Sequence, residues 1–312
     1  MKKITFLLSI VLLVGSIQNA SAQYYFYDSK YYDSPLIFEI GISIGAMNCL
    51  TDIGGNKGIG KKFVKDLNLG KTQFSGGISL GAMYKDAIGL RLEYTYGQVT
   101  ADDKAIKKSK AATTYGRYDR NLSFKSKISE FMIAAEIHPL TIFRKPDEDR
   151  DPPRMSPYLL AGVGFLSFNP QAKYNGKWID LQPLSTEGQG FTKEYPDRKK
   201  YNLKQMVIPV GVGVRYELSN TLNFRAEFVY RIMNTDYLDD VSTDYIDPNV
   251  FLNYFTGTKL SNAYALSDRK KELDPANNSV VGDQRGNPKN NDSYFNLNIK
   301  LAYSFGRQKI KN

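Results

Sequence analysis

Residues 206–231 read MVIPVGVGVRYELSNTLNFRAEFVYR. In the first half, Met206, Ile208, Val210, Val212, Val214 and Tyr216 fall on one face of an extended chain. Gly211, Gly213, Arg215 and Glu217 fall on the other. After a tight turn at Ser219-Asn220 the pattern resumes. Leu222, Phe224, Ala226, Phe228 and Tyr230 oppose Asn223, Arg225, Glu227 and Arg231. A two-residue period on both sides of a short turn predicts an antiparallel hairpin.

Six more stretches repeat this alternation. Phe38, Ile40, Ile42, Ile44 and Ala46 oppose Glu39, Gly41, Ser43 and Gly45; Phe74, Ile78, Leu80, Ala82 and Tyr84 oppose Ser75, Gly77, Ser79 and Gly81. Ile88 to Tyr96 carries Gly89, Arg91, Glu93 and Thr95 on its polar face. Phe131, Ile133, Ala135 and Ile137 oppose Glu130, Ala134 and Glu136. Leu159, Ala161, Val163 and Phe165 oppose Gly162 and Gly164, and Phe295 to Phe305 opposes Asn296, Asn298 and Lys300. Eight strands of about 11 to 14 residues exceed the usual five or six, and a tilted strand needs about 9 to 11 to cross a bilayer. The expected fold is an all-β, eight-stranded antiparallel transmembrane β-barrel with long extracellular loops.

The polar faces define a candidate interior charge network: Glu39, Arg91, Glu93, Glu130, Glu136, Arg215, Glu217, Arg225, Glu227, Arg231 and Lys300. Opposite charges interleaved with small glycines suit a narrow lumen filled by side chains rather than water. The connections alternate as well. Gaps of roughly 23, 22, 36 and nearly 60 residues separate a turn at Lys85-Asp86, a middling link from Arg144 to Pro153, and the Ser219-Asn220 turn, the long-outside, short-inside pattern of outer-membrane barrels. Both termini are then expected in the periplasm.

The first residues read as a secretory leader. Lys2 and Lys3 precede an apolar stretch from Ile4 to Val14, too short to span a bilayer as a helix. Ala20 and Ala22 frame a small-x-small cleavage site, with cutting expected before Gln23. The expected layout is a signal peptide at 1–22, a short periplasmic segment at 23–36, the barrel at 37–306 and a tail at 307–312.

Composition narrows the function. The net charge of +10 falls to about +8 without the leader and is spread along the chain, which argues against nucleic acid. One histidine, His138, leaves little scope for histidine-based catalysis or a histidine-rich metal site, and it precedes Pro139 at the expected periplasmic end. One cysteine, Cys49, excludes an internal disulfide and reads as a small apolar residue. Nothing calls for a cofactor.

Several loop motifs resemble a Bacteroidota outer-membrane family, the PorG-like barrels of the type IX secretion system. They are Asp52-Ile53-Gly54-Gly55, Arg120-Asn121-Leu122-Ser123-Phe124, Phe168-Asn169-Pro170-Gln171-Ala172-Lys173, Asn175-Gly176-Lys177-Trp178, Leu181-Gln182-Pro183-Leu184, Thr186-Glu187-Gly188-Gln189-Gly190 and Thr235 to Ser242. The resemblance covers most of the mature chain, with the long segment from Thr243 to Ser293 as the main departure. It implies a barrel that anchors or scaffolds a secretion complex, with periplasmic or lipoprotein partners beside outer-membrane lipid and lipopolysaccharide.

Within these motifs, Trp178, Glu187, Asp236, Asp239 and Asp240 are candidate site residues. Asp236, Asp239, Asp240 and Asp244 offer the oxygen ligands a calcium ion takes, or they pair with basic residues at the rim; no EF-hand spacing is present. Trp178 reads either as a stacking platform or as a residue packed under Pro170 or Pro183. Gly54, Gly55, Gly188 and Gly190 lack the strand-to-helix context of a phosphate loop and read as turns. Two functions remain open: a scaffold in a secretion complex, or a free-standing surface barrel whose loops bind a ligand. A pore is disfavoured by the width of eight strands.

Overall fold

The computed structural model describes residues 36–55, 68–105, 112–142, 154–219 and 221–305. The leader with Ala20, Ala22 and Gln23, nearly all of the 23–36 segment, the Arg144–Pro153 link, Asn220 and the 307–312 tail lie outside them.

The described strands are β1 (Leu36–Leu50), β2 (Gln73–Tyr84), β3 (Ile88–Asp102), β4 (Ser123–Ile137), β5 (Met155–Tyr174), β6 (Lys177–Asp180), β7 (Lys204–Glu217), β8 (Leu222–Met233) and β9 (Ser293–Phe305). All except β6 close into one eight-stranded antiparallel barrel. Each wall strand pairs with its neighbours around the ring, and β1 closes it against β9, with Ile42 opposite Leu301. Closure leaves the barrel wall without a free sheet edge. The tight turn after β2 places Lys85 and Asp86 at φ of 50° and 53°, the left-handed pair a primed hairpin turn needs, and the Ala87 amide closes it on the Tyr84 carbonyl at 3.0 Å.

The structure extends the sequence reading in two places. Several strands run further toward the long-loop end; β5 is 20 residues long. The four-residue β6 folds back on the top of β5 as a hairpin outside the ring. Four residues are too few for an alternation to be read.

The barrel is apolar outside and polar inside. Phe38, Ile42, Ile78, Leu90, Phe165, Ile208 and Leu297 are exposed, Ile42 at 64%. Arg231, Glu130, Lys300 and Asn296 are 1% exposed or less. A water-soluble barrel has the opposite arrangement. In water this outer belt would be a large uncovered apolar surface; against acyl chains it is solvated, and the wall strands bond to one another around the ring, with one gap at Gly162-Val163 beside Pro209. No described helix is long and apolar enough to cross a membrane.

The described parts of the four long connections lie at one end and fold into a cap, which carries the helix α1 (Ala112–Arg120). A single helical turn, α2 (Pro139–Ile142), lies at the opposite end, which also holds the first and last described residues. The last long connection returns to the cap and carries α3 (Gly257–Ser267).

Candidate functional site

All eleven charged residues of the expected network point into the lumen, and ion pairs tie them across it. Arg91 lies 3.2 Å from Glu93, 3.0 Å from Glu136 and 2.9 Å from Glu227. Arg225 bridges Glu136 at 2.7 Å and Glu39. Arg215 reaches Glu39, Glu217 and the turn residue Asp86, the last at 2.8 Å. Lys300 Nζ is 2.6 Å from Glu93 and 3.2 Å from Glu227, and Arg231 Nε is 3.0 Å from Glu130. Most partners sit on different strands, so the network braces the wall from within. Charges this deep persist only because each finds opposite charge and hydrogen bonds.

Uncharged groups complete the filling. Tyr158 donates to Glu227 at 2.7 Å and Tyr294 donates to Glu130 at 2.8 Å. The inward glycines make room for these rings: a Cβ on Gly213 would clash with the Tyr158 ring. The lumen cavity bounded by Glu39, Arg91, Glu136, Arg225 and Lys300 has a volume of about 10 Å³, the size of one water. Above the charges, an apolar layer of Met47, Val99, Ile128, Phe168, Leu238 and Val241 closes the mouth; it includes Cys49.

His138 forms part of a Ser-His-Glu row. Its Nδ1 is 2.9 Å from Ser156 Oγ, and its Nε2 is 3.7 Å from Glu136 Oε2. This resembles a hydrolase arrangement, but His138 is fully buried and Glu136 is committed to Arg91 and Arg225. The row has no substrate access and reads as lumen filling.

The loop motifs hold the cap together. Arg120, at the end of α1, forms a two-point clasp on Asp103 at 2.9 and 3.0 Å and donates to the backbone of Asp52 and Arg285. Glu187, fully buried, pairs with Arg285 at 2.8 Å and accepts from the Ser242 and Thr243 amides. Asp240 accepts from Thr186 and Tyr201, each at 2.6 Å. Asp239 accepts from the Ile53 and Val241 amides. Asp103, Arg120, Tyr201 and Arg285 were not singled out as site residues from the sequence, because their partners lie in distant loops. Gly54, Gly188 and Gly190 take positive φ, as turns require.

The four aspartates read as a candidate calcium loop do not act together. Asp244 is at the surface, 3.8 Å from Arg198, while Asp239 and Asp240 are engaged by amides and hydroxyls. Asp236 is buried with no hydrogen bond to either oxygen. No group of three or more metal-ligating side chains converges among the described residues. Burial, then the Asp52 and Asp239 charges, pushes the Asp236 carboxyl up to about 9. Burial and Asp52 push Asp239 up to about 8. Asp52 and Asp292 are also raised, in each case mainly by burial. Trp178 stands on β6, half exposed, with Lys125 Nζ 3.7 Å from its ring centre.

A family model described as "Domain of unknown function (DUF6089)" matches residues 23–247, from before the barrel to beyond β8. The chain belongs to the DUF6089 family. The match takes in the Arg120, Glu187 and Asp236–Asp240 motifs and stops before most of the last loop. No curated protein sequence matches this DUF6089 chain. Among solved structures, Neisserial surface protein A is similar at 12% identity, with 86% of this chain and 97% of that one covered and a TM-score of 0.38. Ail, the attachment invasion locus protein of Yersinia pestis, solved with the heparin analogue sucrose octasulfate, is 8% identical, with 87% and 100% covered and a TM-score of 0.38. A major outer membrane protein of Thermus thermophilus is 12% identical, with 87% and 100% covered and a TM-score of 0.37.

Proposed function

We propose that this DUF6089 protein is a non-enzymatic outer-membrane barrel that anchors or scaffolds a protein secretion complex, as its motif resemblance to PorG-like barrels implies. The observation that carries the non-transport part of this reading is the filled lumen. A barrel closed by an ion-pair lattice and an apolar layer offers a solute no path, so its function resides on its surfaces. The long-loop cap faces outward, both termini lie in the periplasm, and the wall contacts outer-membrane lipid and lipopolysaccharide. Periplasmic or lipoprotein partners dock at the short-turn end.

The test is a pull-down from detergent-extracted outer membranes, paired with a deletion strain scored for secreted cargo. Co-purification of periplasmic or lipoprotein components and loss of cargo are expected. Normal secretion in the deletion strain would remove the scaffold role. A second reading is favoured by the cap, whose loops fold on a core of their own around Phe251 and Phe191. In that reading the barrel stands alone and the cap binds a ligand, and deleting the 243–293 loop produces a binding defect with secretion intact.

A further inference from the structure

We propose that the outward face of β4, β5 and β7, just above the apolar belt, binds the phosphate groups of an outer-leaflet glycolipid. The inference rests on the outer-membrane reading, with the long-loop end outside.

The register builds the patch. On β4 the outward positions run upward from Ile137 through Ala135, Ile133, Phe131 and Ser129 to Lys127 and Lys125. On β5 they run from Leu159 through Val163 and Phe165 to Ser167, Asn169, Gln171 and Lys173. On β7 they end upward at Met206 and Lys204, with Lys204 opposite Ser167. The ten steps from Ile137 to Lys127 cover about 33 Å of strand, which at a tilt of about 40° rises about 25 Å, the height of an outer-membrane belt. Lys127 therefore stands at headgroup height. Lys204, two strands away and one outward position lower, lies on the order of 12 Å from it at the backbone. Long lysine side chains on both sides can converge on one phosphate.

The charge there is uncompensated. Lys125, Lys127, Lys173, Lys177 and Lys204 have no ion-pair partner among the described residues. The nearby Asp180 accepts instead from Asn169 and Gln171, at 2.9 and 2.6 Å. Lys125 is held over the Trp178 ring, which fixes it without neutralising it. By contrast Lys71, in the turn just before β2, is paired with Asp102 at 3.3 Å. Upward of the belt β8 continues to the exposed Asn234, while the same register on β1 and β9 reaches Asn48 and Ser293, both buried; none is a lysine. Among the described strand positions, the basic strip thus lies on the side of β4, β5 and β7. It continues the surface that acyl chains cover, so a molecule whose tails lie on Phe131, Phe165 and Met206 brings its headgroup to these lysines. Phosphate matches them as a strong acceptor of charge-assisted hydrogen bonds.

The test uses the whole protein in detergent micelles, folding being checked by heat-modifiable migration. It is mixed with phosphorylated or dephosphorylated lipid A, and bound lipid is counted by native mass spectrometry. Retention of the phosphorylated form is expected to exceed the dephosphorylated form by about tenfold. K127E/K204E should abolish that preference, while K259E/K271E in the cap should keep it. Excess inorganic phosphate should not displace the lipid, because it lacks the tails. Equal retention of both lipids, or an unchanged preference in folded K127E/K204E, overturns the proposal and leaves the membrane reading intact. Failure of the wild-type chain to fold in micelles, with a soluble monomer instead, overturns both.

Discussion

Arg231 is fully buried between β8 and its neighbours and makes three kinds of bond at once: to Glu130 at 3.0 Å, to the Val229 carbonyl at 2.9 Å, and to Asn296. Its removal leaves Glu130 charged in a lumen with almost no room for water. R231A should therefore lower barrel stability by about 3–5 kcal/mol, the usual cost of stranding one member of a buried pair. Replacing both partners by uncharged residues of similar size, E130Q/R231M, should recover most of that loss. The midpoint of urea unfolding in micelles, followed by heat-modifiable migration, measures both. Equal instability of the single and double variants would mean that packing, not charge pairing, holds this position. These lumen residues were legible in the sequence because a charge on the alternate face of an apolar strand has nowhere else to go. Their partners were not, since Lys300 and Glu93 are separated by 207 positions.

At the scale of elements, the cap is a small folded unit on top of the barrel. Phe251 is fully buried and meets Phe191 edge-on at 5.9 Å and Phe255 at 6.2 Å. F251A should cost the cap about 3–5 kcal/mol and open the 243–293 segment to limited proteolysis, with barrel migration unchanged. Loss of the barrel band together with the cap would show that the two fold as one unit. The aspartates of the cap also make it pH-sensitive. Asp236 and Asp239 hold their protons up to about 9 and about 8, against 3.8 in an unfolded chain. The folded cap thus binds more protons than the unfolded loops between those values, so its stability falls as pH rises from about 4 to about 9. Proteolysis of the cap should be slower at pH 6 than at pH 9, and D236N should flatten the difference. A cap equally protected at both values would contradict this account. None of this was readable from one sequence: clasps such as Asp103–Arg120 and Glu187–Arg285 join loops with no periodicity. The resemblance motifs marked these segments without saying what they hold.

For the molecule as a whole, the alternation that fixed the outer face also fixed the strand count, and the count limits the lumen. Eight strands enclose a space that side chains can fill. Here six glutamates, five basic residues, two tyrosines and an apolar upper layer fill it, and the cavity beside Arg91 and Lys300 measures about 10 Å³. Opening a path would require several ion pairs to separate together, and each exposed charge would need water in a lumen too narrow to supply it. The intact protein in a planar bilayer should therefore show no stable large conducting state. Shortening two lumen side chains at once, as in R91A/Y158A, should make the barrel leaky if it still folds, because both fill the same level beside Glu227. Steady step conductance from the wild-type chain would mean that the charge lattice is a gate that opens, and the assignment of its function to outer surfaces would then fail.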